Sequence, residues 1–305
     1  MNALDAMFAP VLDCAGRKLV LDRPRVAGIL NVTPDSFSDG GRYADTEAAV
    51  AHGLALAEQG ADLLDVGGES TRPGADEVSV AEELRRVIPV IEQLAKRTAL
   101  PIAIDTSKPE VMRAAVAAGA GMVNDVYALR REGALDAVAE LGVPVCLMHM
   151  QGEPRSMQND PRYDDVVGEV HRFLTDRLFA CELAGIAKRK VMVDPGFGFG
   201  KNLEHNLALL RALERFAELG SGVYAGLSRK SMIGELTGRK LPAERAAGSA
   251  AAALIAVQRG ARIVRVHDVA ATVDALAVWQ GVQAGDAAPR RDSQPSAPRW
   301  PDDED

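Results

Sequence analysis

Eight strand-like apolar runs recur along the chain, and each of them ends in a cluster of polar residues. The runs begin at Ile29, Leu63, Ile102, Met122, Val143, Val191, Val223 and Arg262. Segments with helical patterning follow them, at about 45–59, 79–97, 109–118, 134–141, 164–184, 203–219, 243–259 and 270–280. Strict alternation of strand and helix indicates parallel strands joined by right-handed crossovers. Eight such units predict the α/β class and a closed (β/α)8 TIM barrel.

The two ends of the chain depart from this pattern. Residues before Arg25 predict a short N-terminal hairpin under the barrel, and the Pro- and charge-rich segment 284–305 predicts a disordered C-terminal tail. We therefore expect a single domain over residues 1–283. An open doubly wound sheet would need a dinucleotide fingerprint after the first strand, and none is visible. Within the barrel, Ser107 and Pro109 predict the start of one helix, as its cap and first-turn residue.

Composition narrows the classes of function. The chain has 305 residues, a net charge of −8 and a pI near 5.3, whereas non-specific nucleic-acid binders neutralise phosphates with Lys and Arg. Its cysteines, Cys14, Cys146 and Cys181, form neither a disulfide framework nor a zinc motif. The first residues do not resemble a secretory signal, and the apolar stretch from Ala246 is shorter than the ~20 residues that span a bilayer. We expect a cytoplasmic protein without a nucleic-acid or membrane partner.

Three polar side chains end predicted strands where a barrel of this kind places its site. Asp105 and Asp194 each close an apolar run, and Asn124 lies in a third. Either acid alone could simply cap the following helix. Together, two carboxylates and an amide would suit a flat heterocycle with an amidine-like edge, such as a pterin, because a carboxylate accepts two parallel N–H bonds from such an edge.

A basic group ends the last two strands. Lys230 follows the seventh, and Arg265 and His267 lie two positions apart in the eighth, which would point them to the same side. The loops after these strands often build phosphate sites in this fold. The alternative is a solvated charge cluster, or an ion pair with Asp268.

Two loops offer further ligands for an anionic substrate. Asn31 ends the first strand, and its carbonyl suits Mg2+, although Asn alone is also common as a turn residue. Thr71 and Arg72 lie on a loop bounded by Gly and Pro, where a guanidinium could bind an anion or remain a surface charge.

The run GFGFGK from Gly196 does not match a phosphate-binding loop. Its spacing is one residue too short, and Asn202 stands where a hydroxyl would bind magnesium. A Gly-rich turn that brings Phe199 to a ligand fits better. His149 has no second histidine at metal-binding spacing, so we interpret it as a core residue, or one that supports the site from behind, rather than as a ligand.

Taken together, these segments resemble dihydropteroate synthase, the folate-pathway family. The resemblance spans about Val20 to Gly281 and rests on the motifs ILNVTPDSFSDGG, DVGGESTRPGA, IDTSKPEV, MHMQGEPRSMQ, DPGFGFGK and GLSRKS. It implies a transferase that condenses 6-hydroxymethyl-7,8-dihydropterin diphosphate with p-aminobenzoate and releases diphosphate. It also implies a homodimer packed through late helices.

The resemblance assigns roles to individual residues. The catalytic group is Asp105, Lys230 and Arg265. The pterin-binding residues are Asp105, Asn124, Asp194 and Lys230. The diphosphate-binding residues are Thr71, Arg72, Arg265 and His267. The p-aminobenzoate-binding residues are Phe37, Thr71, Pro73, Phe199, Lys230 and Ser231. Asp35 lies in a mobile loop, and Asn31 is the ligand of the Mg2+ cofactor.

Two other functions remain open at this point. A pterin-dependent methyltransferase would share the pterin-edge residues but would have no use for the segments STRPG and SRKS. A non-catalytic pterin-binding paralogue would have no need to keep both loops and every charged position.

Overall fold

Eight parallel strands close into a barrel in a computed structural model of the chain, which describes residues 9–33, 41–70, 77–153 and 157–284. The strands are β3 (Arg25–Asn31), β4 (Leu63–Gly67), β5 (Ile102–Asp105), β6 (Met122–Asp125), β7 (Val145–Met148), β8 (Val191–Asp194), β9 (Val223–Ala225) and β10 (Ala261–Val266). They pair in chain order, and β10 closes the ring by pairing with both β9 and β3. The predicted (β/α)8 TIM barrel is confirmed.

Helices connect these strands. They are α1 (Gly41–Glu58), α2 (Val80–Arg97), α3 (Pro109–Ala118), α4 (Ala134–Leu141), α5 (Val166–Leu183), α6 (Leu203–Arg211), α7 (Ser231–Thr237), α8 (Ala246–Gln258) and α9 (Val269–Ala284). The seven-residue α7 was not predicted, because it is shorter than the roughly 11 to 18 residues over which helical periodicity is recognised. The predicted helix at 203–219 ends at Arg211 and gives way to a 3-10 turn at Leu213–Phe216.

The first residues of α2 and α3 differ in how they are capped. Ser79 caps α2, and its hydroxyl accepts a hydrogen bond from the backbone N–H of Glu82. Pro109 does begin α3, but the prediction that Ser107 caps this helix is wrong. Lys108 occupies the cap position with an extended backbone and makes no side-chain capping bond, because an ammonium has no acceptor for a backbone N–H.

The predicted N-terminal hairpin is present and fills the amino end of the barrel. Its strands, β1 (Val11–Cys14) and β2 (Arg17–Val20), pair antiparallel. Four buried side chains from this region, Leu12, Cys14, Leu19 and Leu21, pack against residues near the starts of the barrel strands: Ala27, Leu63, Ala103, Met122, Cys146, Met192, Tyr224 and Ile263. Apolar packing therefore occupies the amino end, and polar residues gather toward the carboxyl end.

Three further predictions concern the C-terminal tail, membrane-spanning segments and the cysteines. The predicted tail lies outside the described residues from 285 onward. Among the described helices, none combines the length and the apolar character needed to cross a bilayer. All three cysteines are buried and unpaired.

Candidate active site

Buried and half-buried polar side chains from five strands meet toward the carboxyl end of the barrel. Asp65 of β4 is fully buried, and Asn124 of β6 and Asp194 of β8 are each only 5% exposed. Asp105 ends β5, and Arg265 extends from β10. Because all eight strands run in the same direction, their carboxyl ends bring these residues together.

Arg265 connects two carboxylates across the barrel. Its Nε donates to Asp65 Oδ2, and a terminal nitrogen donates to Asp105 Oδ2 at 2.7 Å. Asp65 Oδ2 also receives Asn124 Nδ2 at 3.1 Å and the hydroxyl of Tyr224 at 3.4 Å. Within the described residues, the other oxygen of Asp65 is buried and has no hydrogen-bond partner. A buried carboxylate oxygen without a partner is costly.

Asp194 and Lys230 line the opposite side of the same space. A Cβ placed on Gly226 would lie 3.7 Å from Asp194 Oδ2, 3.8 Å from Lys230 Nζ and 4.0 Å from Arg265 Cβ. Similarly, a Cβ on Gly67 would lie 3.5 Å from Asp105 Cβ. Glycine at these two positions therefore leaves room between the charged groups.

Phe199 joins the site through Lys230. The Lys230 ammonium lies 4.7 Å from the centre of the Phe199 ring and donates to the carbonyl of Phe197. On the same turn, the backbone N–H of Gly196 donates to Asp194 Oδ1 at 2.7 Å. The Gly-rich turn thus contacts both charged residues of this side.

Burial shifts the proton affinities of the site. It raises the pKa of Asp105 to about 7 against the opposing charge of Arg265, and it raises the pKa of Asp194 against that of Lys230. Burial also lowers the pKa of Lys230 to about 8, although Asp194 opposes this shift. Asp65 and Asp105 share Arg265, while Asp194 lies near Lys230 and Lys201. The pocket therefore favours a ligand that donates N–H bonds or carries positive charge.

The other predicted site residues lie at the rim. Nδ1 of His267 lies 3.0 Å from Ser228 Oγ, just beyond β10, so His267 and Arg265 contact different groups. Ser231 is exposed at the start of α7. Asn31 is half-buried at the end of β3, paired in register with Gly67. The suggested ion pair of the basic group with Asp268 is not found, because Asp268 pairs with Arg229 at 2.6 Å.

Five predicted site residues lie outside the described residues, namely Asp35, Phe37, Thr71, Arg72 and Pro73. The chain on either side of residues 71–76 is described. There Glu69 accepts from the backbone N–H of Val78 at 2.9 Å and from Lys108 at 2.6 Å, which joins the two ends of that segment.

Sequence reasoning missed Asp65 and Tyr224. An acid within the apolar run LLDVG is costly to bury without a partner, and this signal could have identified Asp65. Tyr224 gave no such signal, because a tyrosine is ordinary in a strand. The prediction that His149 is a core residue is confirmed, since it is 7% exposed and packs edge-on against Phe173.

Known proteins with similar sequences indicate the family. A family model described as pterin binding enzyme matches residues 27–267. The dihydropteroate synthase of Escherichia coli strain K12 is 55% identical over 263 residues, which cover 86% of this chain and 93% of the relative. The chain belongs to the dihydropteroate synthase family. Like the other members of this family, it is a transferase.

Solved structures of the dihydropteroate synthase family agree in fold. The Xanthomonas albilineans dihydropteroate synthase with 4-aminobenzoic acid is 70% identical, with a TM-score of 0.87 over 91% of this chain and 99% of that one. A structure of the same enzyme in complex with 7,8-dihydropteroate is 67% identical, with a TM-score of 0.83 over 90% of this chain and all of that one.

Proposed function

We propose that this chain condenses 6-hydroxymethyl-7,8-dihydropterin diphosphate with p-aminobenzoate, giving 7,8-dihydropteroate and diphosphate. The observation that carries the proposal is the convergence of Asp105, Asn124, Asp194 and Lys230 on one space, with Arg265 between two of the acids. Similarity to enzymes solved with 4-aminobenzoic acid and with 7,8-dihydropteroate supports it.

The pterin would bind deepest. Its nitrogen-rich edge offers N–H donors to Asp105 and Asp194, and Asn124 can both donate and accept. Lys230 would donate to the ring carbonyl.

The charge balance of the pocket suits a route in which diphosphate leaves first. An aryl amine is a neutral, weak nucleophile at pH 7, so attack becomes easier once positive charge has developed on the pterin. The carboxylates of Asp105 and Asp194 would stabilise that charge as it grows, without needing to reorganise. Nothing in this route requires a strong general base.

The leaving diphosphate would be held at the rim. Arg265 and His267 lie at the end of β10, and Thr71 and Arg72 are expected to contribute from their loop. Removing the guanidinium with Arg265→Ala should weaken binding of the pterin diphosphate more than that of the pterin without diphosphate. Equal losses for the two ligands, measured by calorimetry, would count against this role.

Magnesium would bind beside the diphosphate through Asn31. Among the described residues, no group of three or more His, Cys, Asp and Glu side chains could hold a metal ion. An amide oxygen at the end of β3 fits Mg2+, because this ion commonly takes few protein ligands and shares its other positions between phosphate and water. The chemistry that Mg2+ supplies when bound is neutralisation of charge on the diphosphate.

p-Aminobenzoate would bind nearer the mouth. Phe199 offers a ring face beside Lys230, and Ser231 is exposed next to them. Phe37, Thr71 and Pro73 are expected to complete this pocket, with Asp35 on the same loop as Phe37. The aryl ring would then lie above the pterin.

The test is diphosphate release by purified protein given both substrates and Mg2+. Asp194→Ala should weaken pterin binding by roughly 1.5 to 3 kcal/mol, because it removes a charge-assisted hydrogen-bonding group. If the wild-type protein released no diphosphate, this would favour a non-catalytic paralogue. Methyl transfer from methyltetrahydrofolate without diphosphate release would favour a methyltransferase.

The proposal also includes a homodimer and a cytoplasmic location. Apolar side chains are exposed on the late elements, namely Leu236 on α7, Leu241, Ile255 on α8, and Val278 and Val282 on α9. Such side chains would be buried in a homodimer packed through these helices. A cytoplasmic location would suit the soluble substrates.

A further inference from the structure

The turn after β8 is held by side chains at every one of five successive carbonyl groups. Lys201 donates to the carbonyl oxygens of Gly196 and Phe199, each at 2.9 Å. Lys230 donates to the carbonyl of Phe197, Gln158 to that of Gly198, and Tyr163 to that of Gly200 at 2.9 Å. Backbone carbonyls outside helices and sheets usually bond to water or to each other, so a turn fixed in this way is rigid by construction.

Lys201 is the centre of this arrangement. It is only 2% exposed, and its ammonium also lies 3.0 Å from Nδ1 of His149. An ammonium has three N–H donors, and Lys201 has three close acceptors: two carbonyls and one ring nitrogen. Burial lowers the pKa of Lys201, while the nearby charge of Asp194 acts in the opposite direction.

His149 provides the third acceptor. Burial and the charge of Lys201 lower the pKa of His149 to about 2, so its ring is neutral and one ring nitrogen carries no proton. The backbone of His149 also packs tightly against the turn, since a Cβ on Gly196 would lie 1.8 Å from the His149 carbonyl oxygen. Lys201 therefore ties the turn after β8 to the end of β7.

The turn carries Phe199 to its place beside Lys230. The Phe199 carbonyl is bound by Lys201, while its ring lies 4.7 Å from the Lys230 ammonium. Loss of the Lys201 bond would release the backbone of Phe199 but leave Asp105, Asn124 and Arg265 with their partners. A change at Lys201 should therefore affect the part of the site around Phe199 more than the part around Asp105, Asn124 and Arg265.

We propose that Lys201 is a positioning residue for the p-aminobenzoate subsite, acting through the backbone of Phe199. The proposal rests on the function proposed above. Lys201 itself does not reach the substrate, because its three donors are all occupied by protein acceptors.

The experiment compares Michaelis constants for the two substrates in the Lys201→Met variant, with Mg2+ present. We expect KM for p-aminobenzoate to rise by about 10- to 100-fold, since small displacements of a positioning group have effects of that order. KM for the pterin diphosphate should rise severalfold less, because Lys201 also holds Gly196, whose N–H binds Asp194, while Asp105 keeps its partner. The matched control is Lys190→Met. Lys190 also donates to a carbonyl, that of Gly142, but it is only half-buried and precedes β8 at the opposite end of that strand.

A second variant covers the case in which Lys201→Met does not fold. Tyr163→Phe keeps the ring and removes the hydrogen bond to the neighbouring Gly200 carbonyl, so KM for p-aminobenzoate should rise by about two- to tenfold. An unchanged KM for p-aminobenzoate in the folded variants, or equal rises for both substrates, would overturn the proposal. Wild-type protein that releases no diphosphate would instead overturn the proposed function, and this inference with it.

Discussion

Arg265 donates a 2.7 Å hydrogen bond to Asp105, although the two residues lie 160 positions apart in the chain. The same guanidinium donates to the fully buried Asp65. A cation thus holds two acids of the site in place before any ligand arrives, which reduces the reorganisation that binding requires.

Removing this cation should destabilise the fold in a pH-dependent way. We expect Arg265→Met to lower the free energy of unfolding by about 3 to 5 kcal/mol at pH 8, because it leaves buried carboxylates without a partner. The loss should be smaller at pH 5. The pKa of Asp105 is raised to about 7, so below that pH this carboxyl takes up a proton and becomes neutral. Urea unfolding at both pH values measures the difference, and equal losses would contradict the prediction.

Activity should show a narrow pH optimum. The pKa of Asp105 is raised to about 7 and that of Lys230 is lowered to about 8 in the free protein. If both must be charged to bind the pterin, kcat/KM for the pterin substrate should rise as pH increases through about 7 and fall above about 8. Replacing Asp105 by Asn should lower activity and remove the rising limb. A rising limb that persists in this variant would assign it to another group.

The buried ion cluster beside the segment 71–76 offers a double-mutant cycle. Lys108 donates to Glu69 and to the fully buried Glu83, each at 2.6 Å. Lys108→Met should lower the free energy of unfolding by about 3 to 5 kcal/mol, and adding Glu83→Gln should recover part of that loss, because the buried charge is then removed as well.

The control for this cycle is an exposed pair of the same type. Arg113 and Glu140 lie 2.8 Å apart with side chains 44% and 63% exposed. Arg113→Ala should change the free energy of unfolding by less than about 1 kcal/mol. If the double variant were less stable than Lys108→Met alone, the account of an unpaired buried charge would be wrong.

The proposed homodimer can be tested on its own. Val278 and Val282 are 71% and 74% exposed, one helical turn apart on α9. Replacing both by Glu should convert the dimer to monomer in sedimentation experiments, since charge is not tolerated in an apolar interface. The matched control is Phe179→Glu together with Leu183→Glu, on α5, where the same spacing presents another exposed apolar pair. Dissociation by the control pair alone would move the interface to α5.

The sequence was sufficient for the barrel because alternation of apolar strands and helices is a local signal repeated eight times. It also singled out Asp105, Asn124, Asp194 and Arg265 as candidates, since polar residues in buried strands stand out, and Lys230 from the segment beyond β9. It could not show that Arg265 bonds to Asp65, because that pairing depends on two side chains facing each other across a closed barrel. The cap of α3 was misassigned for a similar reason. Lys108 is held by Glu69 and Glu83, and no pattern near Ser107 reveals this.

The N-terminal hairpin affects the order in which substrates enter and the product leaves. Leu12, Leu19 and Leu21 fill the amino end of the barrel. A substrate therefore enters the site from the carboxyl end. With a single entrance, the ligand that binds deepest must enter first, and it cannot dissociate while a second ligand is bound above it. In the proposed reaction the pterin would therefore be first in, and the joined product would have to leave, aryl end leading, before the next pterin could follow.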